Sequence, residues 1–422
     1  MILQSARRKQ TEGTAIRQRS WDEWWDHVSW WIKLSTFSLT LLVVTAAIFA
    51  GWVWELPLKS PLGPLSTLQF LPNKNFDSTG KVVYGFIPYW NLQKVAIQPE
   101  LTHLGYFALT IGSDGSLITR GEDGNEEPGF NKLKAEKLLD LSNETQAQGG
   151  QVELVLSQFY ADDITAFLVS QKAQDNFFVS LDNILLAYPF AGVNIDIELA
   201  GSATPQLREN MSKFMARLRS HLDQKYNKIS LSIDVYASAA LNSQLWDISA
   251  LEPNVDYIII MAYDFHRRTS PLAGPVAPLF GGRELWDSDI NQHLQEFVKQ
   301  VPSEKLLLGV PFYGYEWQTT SRDSQSHTFP DSGSTASFER VLKLLERREE
   351  LQVQEHWNDD ALSPYLSYIE DGEIYVIYYE NSRSLSYKLD YVNQLDLGGI
   401  AIWALGYEAN ARELWDVIER KL

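Results

Sequence analysis

The sequence contains no cysteine, so disulfide bonds, zinc–thiolate centres and cysteine nucleophiles are excluded. Basic residues are also scarce: 36 Lys and Arg stand against 54 Asp and Glu, and the formal net charge of -18 argues against a nucleic-acid partner. The seven histidines form no HxH or HExxH motif and no EF-hand loop is present, so we expect neither a metal nor another cofactor. What remains is an acidic chain of 422 residues, long enough for one barrel-sized domain with appendages.

Long apolar runs are scarce as well, and a single stretch is long enough to cross a bilayer. Residues 34–54, LSTFSLTLLVVTAAIFAGWVW, carry no charge and can span a hydrocarbon core of about 30 Å. Residues 1–33 are polar and partly basic, which predicts a cytoplasmic N-terminus and an extracytoplasmic remainder. A cleaved signal peptide is the alternative, but the basic region and the apolar run are long for one, so we favour an uncleaved signal anchor. The proline-rich residues 55–80 predict a linker.

From residue 81 onward, apolar runs of strand length alternate with longer amphipathic segments. This alternation predicts eight parallel strands with covering helices, that is, a (β/α)₈ TIM barrel over residues 81–422. About eighty residues separate the last two predicted strands, more than one helix needs, so we expect a small α+β insertion at about residues 318–397. The eight predicted strands are residues 82–88, 103–110, 151–157, 192–198, 228–235, 257–263, 306–311 and 399–403.

The stretch FAGVNIDIE, residues 190–198, carries the strongest chemical signal. Asn194, Asp196 and Glu198 alternate with β-branched residues, so on a strand the three polar side chains share one face. The apolar flanks favour a strand buried on both faces, although the wet face of an antiparallel sheet gives the same alternation. Two carboxyl groups so close cannot ionise independently, and the raised pKa of one of them suits a general acid at neutral pH.

Four motifs in chain order resemble glycoside hydrolase family 18, the chitinase-like enzymes. They are AGVNIDIE at 191–198, MAYDFH at 261–266, GVPFYGYEW at 309–317 and GGIAIWALGYE at 398–408, each on a predicted barrel strand. The GVNIDIE form and the segments WNDDALSPYLSY and YYENSRSLSYKLDYV look most like the branch of spore-cortex peptidoglycan glucosaminidases and chitobiase-like proteins. The sequence departs from the usual DGxDxDxE pattern at Ala191 and Asn194, and Asn194 cannot share a proton with Asp196.

The resemblance implies a retaining hydrolysis assisted by the acetamido group of the substrate. Glu198 would protonate the glycosidic oxygen, Asp196 would stabilise the acetamido group, and the Tyr263 hydroxyl would bond to its oxygen. The substrate would be chitin oligomers or peptidoglycan, both of which contain β-1,4-linked N-acetylglucosamine, and we expect the enzyme to act as a monomer. The expected substrate-binding residues are Asn194, Asp264, Trp403, Phe86, Tyr313 and Trp90.

Two other interpretations stay open at this stage. Family 18 includes lectin-like members, and with Ala191 and Asn194 in place of the usual acids, a weak enzyme or a sugar-binding barrel at the cell surface is the alternative function. The presence of Glu198 favours the enzyme. A site for a hard cation such as Mg²⁺, formed by Asn194, Asp196, Glu198 and Asp264, ranks lower, because the motifs explain these residues without a metal.

Overall fold

The computed structural model describes residues 80–121 and 123–422 of the chain. Within this part lie thirteen strands: β1 Val82–Pro88, β2 His103–Thr110, β3 Gln151–Gln158, β4 Gly192–Ile197, β5 Ser230–Tyr236, β6 Tyr257–Met261, β7 Leu306–Pro311, β8 Tyr313–Thr319, β9 Ser334–Ser337, β10 Gln354–Asn358, β11 Ser363–Glu370, β12 Glu373–Tyr378 and β13 Gly399–Trp403. The same part holds ten α-helices: α1 Pro128–Leu133, α2 Glu136–Ala147, α3 Ala161–Val169, α4 Gln171–Ala187, α5 Pro205–Lys225, α6 Ile248–Leu251, α7 Ile290–Phe297, α8 Phe338–Glu346, α9 Ser382–Gln394 and α10 Glu413–Lys421.

Eight parallel strands close into a barrel, in the order β1-β13-β7-β6-β5-β4-β3-β2. The barrel is closed by the pairing of β1 with β13, in which Val82 of β1 lies opposite Gly399 of β13. All residues of β1, β4 and β7 are buried, because their outer faces are covered by helices and their inner faces fill the barrel. The predicted eight-stranded parallel barrel is therefore confirmed.

The helices around the barrel begin at sequence signals that fix their first turns. At the start of α5, the Thr204 side chain accepts a hydrogen bond from the Leu207 N–H, and Pro205 occupies the first helical position. The buried face of this helix carries the apolar stripe that runs from Leu207 to Leu222. Such capped amphipathic helices pack on the outer face of the barrel, and the carboxyl ends of the strands stay open for a functional site.

A second, antiparallel sheet lies between β7 and β13 in the chain. Its strand order is β10-β11-β12-β8-β9, and α8 follows β9 directly. The sheet starts at Tyr313, earlier than the predicted insertion at about 318, because only Phe312 separates the end of β7 from the start of β8. It ends at Tyr378, well before 397, and the following helix α9 packs against α10 in the outer layer of the barrel.

The predicted N-terminal segments 1–33 and 34–54, and the linker up to residue 79, lie outside the described residues. None of the helices found in 80–121 and 123–422 combines the length and the apolar character that a membrane span requires.

Candidate active site

Two carboxyl groups lie at the carboxyl end of β4. Asp196 is on the strand and 3% exposed, whereas Glu198 follows the last strand residue and is partly exposed. The Glu198 N–H donates to the Gln158 carbonyl oxygen at 3.0 Å, which extends the β3–β4 pairing beyond the strand. Because the alternation of side chains continues to Glu198, both carboxyl groups line the same cleft.

Asp196 is placed so that its neutral form is favoured. Burial raises the pKa of this carboxyl well above its ordinary range, and the negative charges of Glu198 and Asp234 raise it further. Its Oδ1 is buried and has no hydrogen-bond partner in the described part of the chain. A buried oxygen of this kind is costly unless a proton or an incoming polar group satisfies it.

Glu198 experiences opposing influences. Burial raises its pKa, the Tyr236 hydroxyl lowers it by donating to the carboxylate, the charge of Asp264 raises it, and Arg267 lowers it. The net shift is upward, so the protonated acid persists to a higher pH than in an exposed glutamate. Despite these acids, no group of three or more His, Asp or Glu side chains in residues 80–121 and 123–422 is arranged to hold a metal ion.

Asn194 lies beneath the cleft and does not line it. It is completely buried, and its Nδ2 donates to Ser232 Oγ and to Asp234 Oδ1, both at 2.9 Å. Its Oδ1 has no hydrogen-bond partner among the residues described. Asn194 was predicted to bind substrate, but its amide is enclosed inside the barrel. Its hydrogen bonds connect β4 to β5.

Tyr263 and Asp264 follow the end of β6, which stops at Met261 and not at the predicted residue 263. Asp264 has a φ of 63°, a backbone conformation incompatible with continuing the strand. Its Oδ1 accepts hydrogen bonds from the hydroxyls of Tyr313 and Tyr315, the latter at 2.9 Å. These bonds hold the loop after β6 against β8, so the insertion supports one wall of the cleft.

The Tyr263 hydroxyl remains protonated over the physiological pH range. Burial raises its pKa well above 10, and the neighbouring carboxyl groups of Asp234, Asp196 and Glu198 raise it further. The side chain also lines the cleft that contains these acids. It therefore presents a neutral hydroxyl, able to donate a hydrogen bond to a polar group that enters the cleft.

Aromatic rings form the floor and the open end of the cleft, which has a volume of about 400 Å³. Trp403, the last residue of β13, lies 5.8 Å from Phe86 and 4.7 Å from Phe107 between ring centroids. Trp90 packs edge-on against Phe107 and is 50% exposed. A face of such rings suits the apolar side of a sugar ring, while the acids nearby meet its polar groups.

Of the nine residues predicted for the site, all except Asn194 line this one cleft. Trp317, the last residue of the GVPFYGYEW motif, is fully buried and donates to the Arg267 carbonyl oxygen. The sequence did not predict a role for Tyr236, which continues the inward-facing row of Ser232 and Asp234 on β5 and was visible in the alternation of SLSIDVY. The other cleft residues that the prediction missed are Phe107, Phe159, Met261, Arg267, Tyr315, Thr335 and Tyr407.

A second groove of about 620 Å³ adjoins the cleft. Both are lined by Tyr236, Met261, Tyr263, Asp264 and Arg267, so the two cavities meet beside the acids. An extended ligand can therefore lie across the carboxyl end of the barrel with its middle next to Glu198.

Comparison with known proteins places this site in a family. The model of "Glycosyl hydrolases family 18" matches residues 76–408. The cortical fragment-lytic enzyme of Bacillus anthracis is 23% identical over 325 residues, which are 74% of this chain and 66% of that protein. Chitinase B of Serratia marcescens is 24% identical over 428 residues, with coverage of 83% and 82%. The chain thus spans just under two thirds of the cortical enzyme's length.

A solved structure agrees with these sequence matches. The spore cortex-lytic enzyme SleL of Bacillus megaterium QM B1551 has a TM-score of 0.64 and 20% identity, and the match covers 81% of this chain and 74% of that one. The resemblance predicted from four motifs, including its spore-cortex branch, is therefore confirmed. The chain belongs to glycosyl hydrolase family 18.

Proposed function

We propose that this protein is a retaining glycosidase that hydrolyses β-1,4 bonds in glycans containing N-acetylglucosamine, with Glu198 as general acid and base. The observation that carries the proposal is the carboxyl pair of Asp196 and Glu198, whose pKa values are both raised by burial at the floor of an aromatic cleft. An acid with a raised pKa keeps its proton to a higher pH, and a proton donor of this kind is what cleavage of a glycosidic bond requires.

The mechanism of family 18 is substrate-assisted, an exception to the scheme with two catalytic carboxylates. Protonated Glu198 gives its proton to the glycosidic oxygen while the 2-acetamido oxygen of the substrate attacks the anomeric carbon. The ionised Glu198 then takes a proton from the water that opens this cyclic intermediate, and the original configuration is retained. Asp196 holds the acetamido nitrogen, and the neutral Tyr263 hydroxyl donates to the acetamido oxygen.

Two substrate classes fit the same chemistry. One relative is named a cortical fragment-lytic enzyme and another is named chitinase B, so peptidoglycan and chitin oligomers are the two candidates for this chain. Both present an N-acetylglucosamine unit where the reaction occurs. They differ in the neighbouring units, because muramic acid carries a bulky lactyl-peptide substituent that the groove beside Arg267 would have to accommodate.

The test is to incubate the full-length protein, purified in a mild detergent, with chitooligosaccharides and separately with purified peptidoglycan. Products are identified by mass spectrometry, and the sugar at the new reducing end identifies the bond that was cut. Glu198→Gln is the matched control, because it keeps the size of the side chain and removes the acid. We expect cleavage by the wild type and none by this variant. If the wild type cuts neither substrate and both proteins bind acetylated sugars equally, the protein is a sugar-binding barrel.

We also propose that residues 34–54 anchor the protein in a membrane, with the N-terminus in the cytoplasm and the barrel outside. The uncharged run and the basic residues before it support this proposal. Extraction of membranes with alkaline carbonate should leave the full chain in the pellet. Protease that reaches the outer face of an unbroken cytoplasmic membrane should digest the barrel. Release of the chain into the carbonate supernatant would contradict the anchor.

A further inference from the structure

Glu153 is a buried acid that the proposed mechanism does not use. It lies on β3, is 0% exposed, and faces Gly192 of the neighbouring strand β4. A side chain at position 192 would force the Glu153 carboxyl to move, because its Cβ would lie 2.5 Å from Glu153 Oε1. The glycine that begins the GVNIDIE segment therefore makes room for this carboxyl. An acid enclosed in a barrel core is destabilising unless its polar atoms have partners.

Hydrogen bonds connect Glu153 to the active site through two side chains. Ser232 Oγ donates to Glu153 Oε2 at 3.3 Å, and Asn194 Nδ2 donates to the same Ser232 oxygen at 2.9 Å. The second Nδ2 hydrogen reaches Asp234 Oδ1, which lines the cleft. The chain of contacts thus runs from the barrel core to the floor of the site.

Each hydrogen bond in this series has a fixed donor and acceptor. A serine has one hydroxyl proton, and because Ser232 gives it to Glu153, Ser232 can only accept from Asn194. The amide of Asn194 must therefore turn its Nδ2 toward β5, which leaves its Oδ1 free. Asn194 Oδ1 and Asp196 Oδ1 share one face of β4, and neither has a hydrogen-bond partner within residues 80–121 and 123–422. An amide oxygen on this face suits a protonated Asp196.

The surroundings of Glu153 favour a proton that exchanges near neutral pH. Burial raises the pKa of Glu153 to about 7, opposed by the hydroxyls of Ser230, Tyr84 and Ser232, although Oε1 itself has no partner at hydrogen-bonding geometry among the described residues. The titratable groups that face it are Tyr84 of β1, Asp234 of β5, Asp256 before β6 and Tyr257 of β6, and His103 stacks behind Tyr84.

We propose that Glu153 is a positioning residue for the glycosidase reaction, which acts through Ser232 to set the orientation of the Asn194 amide beneath Asp196. The inference rests on the proposed function. When Glu153 is ionised, it takes the Ser232 proton and locks Nδ2 toward β5. When Glu153 is protonated, it donates to Ser232, whose proton turns toward Asn194 and favours the flipped amide. The flipped amide turns its N–H groups toward the side of Asp196, which favours the ionised carboxylate and removes the proton that Asp196 would donate to the ionised Glu198 during the reaction.

The experiment compares the hydrolysis of a chitooligosaccharide by the full-length wild type, Glu153→Gln, Ser232→Ala and Glu408→Gln between about pH 5 and about pH 8. A glutamine at 153 donates to Ser232 and so imitates the protonated acid. We expect kcat to fall about tenfold with KM unchanged, the effect of about one hydrogen bond. Wild-type kcat should decline below a pH of about 7, the pKa of Glu153, and Glu153→Gln should lose this inflection. Ser232→Ala should give the same profile.

Glu408→Gln is the matched control, because Glu408 is also a buried acid, but its partners are the Gly406 N–H and the Trp415 indole. It should keep both kcat and the wild-type inflection. The double variant Glu153→Gln/Ser232→Ala should be no slower than either single variant, since both break one link.

The outcomes separate the two proposals. If the wild type hydrolyses the oligosaccharide while Glu153→Gln and Ser232→Ala both keep its kcat and its inflection, the positioning role is refuted and the glycosidase stands. If the wild type hydrolyses neither chitooligosaccharides nor peptidoglycan, both proposals fail. Should Glu153→Gln not fold, Ser232→Ala decides, because it breaks the same connection at its middle and leaves the acid in place.

Discussion

Glu153 should make the stability of the protein depend on pH, with a sign opposite to that of most acids. Its pKa rises from an ordinary value of 4.5 to about 7 in the folded protein, because burial disfavours the charged form. The folded state therefore binds the proton more tightly than the unfolded state. The resulting stabilisation is complete below a pH of about 4.5 and is lost as the pH rises through about 7.

The magnitude follows from the two pKa values. At about 1.4 kcal/mol for each pKa unit, the interval between 4.5 and about 7 corresponds to about 3 kcal/mol of unfolding free energy. Urea unfolding of the wild type and of Glu153→Gln, at about pH 5 and about pH 8, measures this quantity as a change in the difference between the two proteins. Asp196 and Asp234 titrate in both proteins, but the charge of Glu153 raises the pKa of Asp234, so the difference also contains the loss of that coupling in Glu153→Gln.

We expect the unfolding free energy of Glu153→Gln, relative to that of the wild type, to rise by about 2.5 kcal/mol from about pH 5 to about pH 8, because only the wild type loses the stabilisation of the Glu153 proton. Glu349→Gln, at an exposed position, provides the control and should follow the wild type at both pH values. Parallel stability curves for the wild type and Glu153→Gln would refute the reasoning, since they would mean that the carboxyl titrates alike in the folded and unfolded states.

Three further perturbations test other parts of the structure. Tyr236→Phe removes the hydroxyl that lowers the pKa of Glu198, so the alkaline limb of kcat/KM should move to higher pH; an unchanged limb would remove Tyr236 from the titration. Trp403→Ala should raise KM for a chitooligosaccharide about three- to tenfold, because a stacking surface is lost, and an unaltered KM would mean that the ring only packs. Lys388→Met leaves Glu380 buried without its cation and should cost about 3–5 kcal/mol in urea unfolding. Adding Glu380→Gln should recover much of that loss, and no recovery would point to packing instead.

The barrel strands were predictable because each is an apolar run enclosed on both faces. Residues 82–88, 103–110, 306–311 and 399–403 are strands with the predicted bounds. The sixth strand ends early at Met261, and the loop after it includes Asp264, which has a positive φ and accepts hydrogen bonds from Tyr313 and Tyr315, in a sheet far along the chain. A contact between distant segments leaves no periodic signal in the sequence near Asp264.

The site was predictable where one strand carries it. The period of two in β4 places Asp196 and Glu198 on one side, and the motif positions add Tyr263 and Trp403. Tyr236 was missed although β5 has the same alternation, because a tyrosine at a strand end more often packs than binds. Glu153 was also visible, as the single charge inside the apolar run VELVL, but its partner could be identified only once β3 and β5 were placed on either side of β4.

The asparagine at 194 shows why a motif on one strand is an incomplete guide to activity. Asn194 has lost the acid that the family pattern has there, which by itself suggests a weakened site. In the barrel, however, Asn194 pairs with Val155 of β3 and with Ser232 of β5, and acids stand near it on both strands, Glu153 on one and Asp234 on the other. The charge of Asp234, on the neighbouring strand, raises the pKa of Asp196, so an acid outside the motif takes part in the titration of the site.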